Sequence, residues 1–215
     1  MKQFRMRYLL PSVCAFLLGC ASAYRSLSPV TIDRSCIAKY VPLKIATSWY
    51  HASIEAGGKH FSGLVLIKSM PDSSHRIVFT SEAGLTFFDF GFGEPNEFKV
   101  YSIFKKLNRK PIVRTLRKDF ELMLGIPFAS GGILSWETPE ETFFGVQQKK
   151  ETVYFITDKD CSSLRRLERG TKRKRKISVL IAGKGYPLPD TLDIVHYAFP
   201  LEIRLTSFQK NESVR

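Results

Sequence analysis

Five stretches rich in aromatic and branched residues follow one another through the first half of the chain, with only short turns between them. Such residues favour pleated strands, and Gly57-Gly58 between the first two stretches is a hairpin signal. The pattern predicts an antiparallel meander rather than strand–helix–strand units, which need long crossovers. The predicted strands cover residues 46–56, 59–69, 74–81, 85–92 and 97–104.

One segment, residues 109–124, has helical rather than strand periodicity. Asn108 can cap it, Pro111 suits its first turn, and Gly125 ends it. Its apolar residues recur at helical spacing at Ile112, Leu116, Phe120 and Met123. Strand patterns resume at residues 143–148, 151–158, 163–169, 174–182 and 197–208. The sequence thus predicts a mainly β (α+β) protein of about ten antiparallel strands with one main helix.

Several predicted strands are apolar on both faces, for example "GLVLIK", "FFDFGF" and "ISVLIA", and the chain holds 17 phenylalanines. A single helix is too little to cover both faces of ten strands. A half-closed barrel would use the helix as a lid and leave an apolar concavity of the kind that small barrels use for a ligand. A well-packed β-sandwich core explains the same pattern, and periodicity leaves both alternatives open.

The first 19 residues have the proportions of a secretory signal. Lys2, Arg5 and Arg7 form a basic head, and an apolar stretch from Tyr8 to Leu18 follows. A helix that crosses a bilayer needs about 20 apolar residues, which this run does not reach. We therefore expect a processed signal rather than a transmembrane span.

The end of this signal resembles the lipobox of bacterial lipoprotein precursors, in the residues Leu17-Leu18-Gly19-Cys20. The resemblance implies that Cys20 is lipidated (a diacylglyceryl thioether and an acylated amine, with palmitate among the acyl groups), becomes the first mature residue, and anchors the protein. Ala21 after the cysteine favours the outer membrane, on its periplasmic face. The expected organisation is signal peptide 1–19, lipid-anchored tether 20–42, and a single domain over 43–210.

Charge and cysteines add two local features. The formal net charge is +13, and residues 165–176 concentrate eight basic side chains in a predicted hairpin. They are Arg165, Arg166, Arg169, Lys172, Arg173, Lys174, Arg175 and Lys176. This hairpin can attract anionic headgroups or protect an exposed sheet edge, whereas nucleic acid is not an expected partner of an exported protein. Cys36 and Cys161 can form a disulfide in an oxidising compartment or remain separate thiols.

The sequence contains no recognised catalytic or metal-binding motif. The spacings HExxH, CxxC and GxSxG are absent, and "AGKGYP" does not match a phosphate loop. The histidines are scattered at His51, His60, His75 and His196. Asp158 and Asp160 lie where a turn is expected. We therefore expect neither an enzyme, nor a metal site, nor a cofactor.

Three segments, in order along residues 46 to 208, resemble the family of the outer-membrane lipoprotein-localisation receptor and its soluble carrier relative (LolB and LolA). They are "SHRIVFTSEAGLTFFDF", "DFELMLGIPFASGGIL" and "FPLEIRLTSF". The resemblance implies an incomplete β-barrel lidded by helices, with an apolar cavity for acyl chains and no catalytic residues. The turn Ala83-Gly84-Leu85 matches the receptor's membrane-contact loop. At the position where the receptor projects an apolar side chain, this chain has the small residue Ala83. Leu85 is the candidate to take over the membrane contact, but it can equally be the first core residue of the next strand.

The resulting expectation is a lipid-anchored binding protein that helps lipoproteins reach the outer membrane, with acyl chains and a soluble periplasmic lipoprotein carrier as partners. The alternatives are a non-enzymatic accessory lipoprotein that acts through protein contacts, or a periplasmic enzyme with unrecognised residues. The candidate cavity lining is Phe79, Phe87, Phe90, Leu116, Phe120, Phe128, Phe144 and Val179.

Overall fold

The protein is described by a computed structural model. Its described residues are 24, 27–31, 35–40, 45–93, 97–128, 132–183, 187 and 189–208. The predicted signal peptide and Cys20 lie outside this part of the chain.

Among the described residues, one antiparallel sheet of thirteen strands dominates the fold, accompanied by one long helix, one short helix and a 3-10 turn at Ile126–Phe128. In space the strands run in the order β1-β7-β8-β9-β10-β11-β12-β13-β2-β3-β4-β5-β6. The elements are β1 (Ser28–Pro29), α1 (Ser35–Ala38), β2 (Ser48–Ala56), β3 (Lys59–Ser69), β4 (His75–Thr80), β5 (Thr86–Gly93), β6 (Glu97–Ile103), α2 (Lys110–Met123), β7 (Ile133–Glu137), β8 (Glu141–Gln148), β9 (Glu151–Asp158), β10 (Leu164–Gly170), β11 (Arg175–Ala182), β12 (Thr191–His196) and β13 (Leu201–Ser207).

The mainly β, antiparallel fold with one main helix is confirmed, but the strand count differs from the prediction. The sequence patterns do not predict three short strands, β1, β7 and β12. Strand β12 buries Leu192 and Ile194 on one face while Asp193, between them, is half-exposed and pairs with Arg204. With only one apolar face and six residues, it gives a weaker signal than the predicted strands.

Helix α2 lies close to its predicted bounds. Pro111 occupies its first turn, but Arg109 rather than Asn108 is at the N-cap, without a side-chain capping hydrogen bond. Gly125 ends the helix with a positive φ of 67°, and its N–H donates to the carbonyl of Leu122. This conformation favours glycine, which explains why the helix stops there.

The sheet curves around helix α2. Phe120 of the helix lies 5.6 Å from Phe88 of β5 between ring centroids, and Asp119 contacts His196 of β12. Five strand spacings separate β12 from β5, about 24 Å in a flat sheet, whereas a helix is only ~10 Å wide. Both strands can reach one helix only if the sheet bends around it. Within the described residues, β1 and β6 end the sheet without pairing to each other, so the barrel is incomplete.

The segment predicted as a free tether is, where described, part of the folded domain. Tyr24 is buried on the outer face of the sheet, stacked on Tyr154 of β9 at 4.6 Å. Strand β1 pairs with β7, and Cys36 of α1 forms a disulfide with Cys161. These contacts explain why β8 and β9 bury side chains on both faces, because the N-terminal segment covers their outer face.

Candidate functional site: an apolar cavity beneath the helix

An apolar cavity of about 510 Å³ lies between the first half of helix α2 and the concave face of the sheet. Small-molecule sites typically enclose roughly 300–1,000 Å³. The lining comes from β2, β3, β4, β5, β13, the helix and the turns beside them. It consists of Ile54, Ala56, Gly57, Phe61, Phe79, Phe87, Leu107, Pro111, Ile112, Thr115, Leu116, Phe199, Pro200 and Leu201.

The helix contributes one continuous face to the cavity. Pro111, Ile112, Thr115 and Leu116 recur at three- and four-residue spacing, which places them side by side on an α-helix. The Thr115 hydroxyl is the one polar side-chain group in the described lining. Such a wall can exclude water from a hydrocarbon chain and offers very little to a polar ligand.

Aromatic rings form the opposite wall. Phe79 and Phe87 stack with ring centroids 4.8 Å apart, and Phe61 meets Phe87 edge-on at 6.4 Å. The register between β4 and β5 shifts at this point: Phe79 pairs with Phe88 while Thr80 pairs with Thr86, which leaves Phe87 as an extra residue. A β-bulge can re-aim a side chain, and this one lets Phe87 join Phe79 at the cavity.

The cavity opens to solvent at one end of the sheet. Gly57, Pro111, Phe199 and Pro200 line it and are also exposed, Phe199 with 45% of its surface. They belong to the β2–β3 turn, the start of α2 and the β12–β13 turn. The mouth therefore lies among the turns at this end, and the deep end lies at Phe79 and Leu116, which are buried.

Three of the eight predicted lining residues are at this cavity: Phe79, Phe87 and Leu116. The other five require correction. Phe90 stacks on Phe88 in the core, Phe120 packs against Phe88 and Phe92, and Phe128 packs against Phe155.

The last two of these five also belong to the core. Val179 is fully buried on β11, opposite Ile194. Phe144 is buried on β8 and borders a separate hollow of about 370 Å³, which residues of β1, α1 and β7 also line. All five belong to the main buried core cluster and lie outside the lining of the cavity beneath the first half of the helix.

The sequence patterns do not predict most of the residues that line the cavity. Ile54 and Leu201 lie on neighbouring strands β2 and β13, which are far apart in the chain. Phe199 lies in a turn rather than in the strand predicted over 197–208. The dipeptide Phe199-Pro200 was the available signal, because proline in a putative strand indicates a turn or an edge.

The turn matched to a membrane-contact loop lies at the same end of the sheet. Its hydrogen bonds run from the Gly84 N–H to the Ser81 carbonyl and from the Ser81 N–H to the Leu85 carbonyl. Strand β5 begins only at Thr86, and the Leu85 side chain is 49% exposed. Leu85 is therefore a turn residue at the surface and not the first core residue of the next strand, while Ala83 beside it is also exposed.

The basic segment forms the predicted hairpin, but not at a sheet edge. Strands β10 and β11 pair with β9 and β12 on their outer sides, so protection of an edge is not their role. Arg166 pairs with Glu141 and Glu168, and Arg175 lies 3.0 Å from Glu168. Glu168 is fully buried, and these arginines compensate its charge.

Only part of the basic hairpin faces solvent. Arg169 is buried on the concave side, where burial lowers the pKa of its guanidinium, and its Nε has no hydrogen-bond partner in the described structure. The exposed members are Arg165, Lys172, Arg173, Lys174 and Lys176, the last of which pairs with Glu151. The exposed charge is concentrated at the tip of the hairpin.

A buried polar pair fixes the helix to the sheet beside the cavity. The Oδ2 atom of Asp119 lies 2.9 Å from Nε2 of His196. Burial raises the pKa of the Asp119 carboxyl, and the hydrogen bond with His196 opposes this rise. The pair positions the lid, and the His196 ring also contacts Phe199 of the cavity lining, with ring centroids 4.5 Å apart.

The described residues do not form a site for hydrolysis or metal binding that we recognise. No three His, Cys, Asp or Glu side chains within them cluster as metal ligands. Asp158 stabilises the turn in which it lies. Burial raises the pKa of its carboxyl, but hydrogen bonds from Ser163 and Ser162 lower this pKa by more, so that it falls below the usual range. None of the described helices combines the length and the apolar character needed to cross a bilayer.

The fold and site thus define an open antiparallel sheet with an apolar cavity under its helix. No protein-family model and no curated protein sequence matches the chain. Among solved structures, the chain is similar to a LolA-superfamily protein from Nitrosomonas europaea, with a TM-score of 0.49 and 7% sequence identity. The match covers 84% of this chain and 93% of the other.

Proposed function

We propose that this protein binds acyl chains in the cavity beneath helix α2. The observation that carries the proposal is the cavity itself: about 510 Å³, lined by aliphatic and aromatic side chains and open at one end. A linear hydrocarbon needs no hydrogen-bond partners, and the described lining offers only one side-chain hydroxyl, that of Thr115. Each buried methylene contributes about 0.8 kcal/mol, so a few methylenes suffice for measurable binding.

The finer proposal is a lipid-anchored envelope lipoprotein that helps lipoproteins or related lipids reach the outer membrane. Transfer would be passive, because a methylene gains about the same ~0.8 kcal/mol in a bilayer as in the cavity. Cys20 would carry the anchor, Leu85 would contact the membrane, and a soluble periplasmic carrier would deliver the cargo. The disulfide between Cys36 and Cys161 supports an oxidising compartment such as the periplasm.

The cargo is tested by purifying the exported Cys20→Ala protein, so that no anchor lipid is present, and extracting it for mass spectrometry. We expect acyl lipid or lipoprotein to co-purify. Absence of both, together with normal lipoprotein sorting after depletion of the protein, would favour the accessory lipoprotein that acts through protein contacts.

The anchor is tested separately by metabolic labelling with an alkyne analogue of palmitate. The parent protein should take up the label and fractionate with the outer membrane, whereas Cys20→Ala should do neither. Labelling of the Cys20→Ala protein would contradict lipidation at this residue.

A further inference from the structure

The turns at the cavity end of the sheet are basic, and those at the opposite end are acidic. The register brings six connections to the cavity end, since Gly170 pairs with Thr152, Ile177 with His196 and Leu201 with Ala56. These connections are residues 57–58, 81–85, 104–109, 149–150, 171–174 and 197–200, called here the rim.

The rim holds eight basic residues and one acidic residue, Glu82. All eight are exposed: Lys105, Lys106, Arg109, Lys149, Lys150, Lys172, Arg173 and Lys174. The described connections at the opposite end hold four acidic residues and one basic residue, Lys159. The acidic residues are Asp72, Glu140, Asp160 and Asp190. Among the described connections, positive charge is therefore concentrated at the end of the sheet where the cavity opens.

Exposed apolar residues accompany this charge. Tyr197 and Phe199, in the turn between β12 and β13, expose 51% and 45% of their surface. Phe199 lines the mouth, and the basic tips of β8–β9 and β10–β11 lie at the same end of the sheet. Aromatic side chains among lysines and arginines are typical of surfaces that lie at the headgroup level of a bilayer.

We infer that the rim docks on the surface of a membrane that contains anionic phospholipid, with the mouth of the cavity facing the bilayer. Each lysine or arginine near such a surface contributes about 1 kcal/mol, and the rim offers eight. An acidic protein surface could match the charge, but it would not account for aromatic residues at the opening of a hydrocarbon-sized cavity. The inference deepens the proposed function and rests on it for its purpose, yet docking is measurable without acyl-chain binding.

Co-sedimentation with vesicles tests the surface, using the Cys20→Ala protein so that no acyl anchor contributes. The probes are vesicles of phosphatidylcholine alone and of phosphatidylcholine mixed with phosphatidylglycerol. We expect binding to the mixed vesicles, weakened by salt, and much weaker binding to the neutral ones. Equal binding to both, or to neither, would overturn the inference.

A matched pair of triple variants locates the binding surface. The rim variant carries Lys150→Gln, Arg173→Gln and Lys174→Gln, and the control carries Lys39→Gln, Lys68→Gln and Lys99→Gln, all exposed and away from the rim. At about fivefold per charge, the rim variant should lose about a hundredfold in affinity for the mixed vesicles. The control should lose far less, because its charges lie beyond the Debye length of ~8–10 Å from the membrane. An equal loss in both variants would indicate diffuse attraction and overturn the proposed orientation.

A fluorescent fatty acid in buffer without vesicles separates this inference from the proposed function. We expect the rim variant to bind it like the parent. If the parent fails to bind the fatty acid but docks through the rim, the proposed function fails and the docking surface stands. If the fatty acid binds and the vesicle results are negative, only the docking surface is wrong.

Discussion

Asp119 of helix α2 and His196 of strand β12 form a buried pair with 2.9 Å between Oδ2 and Nε2. The pair connects the lid helix to strands that are far from β5 in the sheet, so the concave wall is held from two sides. A carboxyl in this position responds to pH, because burial raises its pKa above the ordinary value of 3.8.

We predict that Asp119→Asn changes how stability depends on pH. Between 3.8 and the raised pKa, the folded protein keeps the Asp119 proton and the unfolded chain releases it. The contribution of Asp119 to the free energy of unfolding therefore falls as the pH rises through this window. Asn does not titrate, so the free energy of unfolding of the variant minus that of the parent should become more positive across the window. Urea unfolding at a series of pH values measures this difference.

Asp72→Asn provides a control of opposite sign. Hydrogen bonds from Ser74 lower the pKa of the exposed Asp72 carboxyl, so its contribution is present at higher pH and lost as the pH falls. For this variant the same difference should become more negative as the pH rises. If Asp119→Asn gave a difference that did not change with pH, the two states would bind this proton equally and the prediction would be wrong.

Local patterns predicted the elements well, because each is encoded within a few residues. The spacing of Ile112, Leu116 and Phe120 gave helix α2, and Gly57-Gly58 gave the hairpin between β2 and β3. Which residues line the cavity could not be predicted in the same way. Phe87 reaches it because of a bulge in the β4–β5 register, and a register arises from two paired strands rather than from the periodicity of one.

The pairing of strands that are distant in the chain could not be predicted from local patterns for the same reason. Strands β13 and β2 pair with each other although they lie near opposite ends of the described chain. The sequence alone does not indicate which residues of the basic hairpin are paired, and Arg166 forms ion pairs with Glu141 and Glu168. The sequence shows which residues of such a segment are charged. It does not show their ion-pair partners, because some of these lie on strands that become neighbours only in the folded sheet.

Tyr24→Phe should destabilise the fold, because the Tyr24 hydroxyl donates a hydrogen bond to the buried Glu168 carboxylate at 2.8 Å. Burial, followed by the nearby charge of Glu168, raises the pKa of Tyr24 above its ordinary value of 10.0, so the hydroxyl remains a donor. Removing a donor from a buried charged acceptor costs about 2 kcal/mol. Tyr101→Phe, on an exposed ring, should change the free energy of unfolding by less than about 0.5 kcal/mol. Equal effects would mean that the hydrogen bond from Tyr24 to Glu168 contributes little to stability.

The disulfide should make a large contribution, because Cys36 and Cys161 are separated by 125 residues. Closing a loop of that length restricts the unfolded chain, and the chain-entropy estimate is about 4–5 kcal/mol. Cys36→Ser combined with Cys161→Ser should lower the free energy of unfolding in urea by about that amount. Reduction of the parent should reproduce the loss, and the double variant should not respond to reductant. A loss below about 1 kcal/mol would show that the bridge adds little to contacts already made by α1.

Thr115→Trp should block acyl-chain binding, because Thr115 lies in the middle of the helical wall of the cavity. An indole in place of the small side chain would occupy the space of several methylenes. At about 0.8 kcal/mol per methylene, loss of two of them lowers affinity more than tenfold. Titration with a fluorescent fatty acid measures the change. Arg114→Trp introduces the same residue one position earlier, at an exposed site outside the lining, and should bind the probe like the parent. If both variants bind like the parent, acyl chains do not enter this cavity; if both lose binding equally, the effect is on the helix and not on the volume of the cavity.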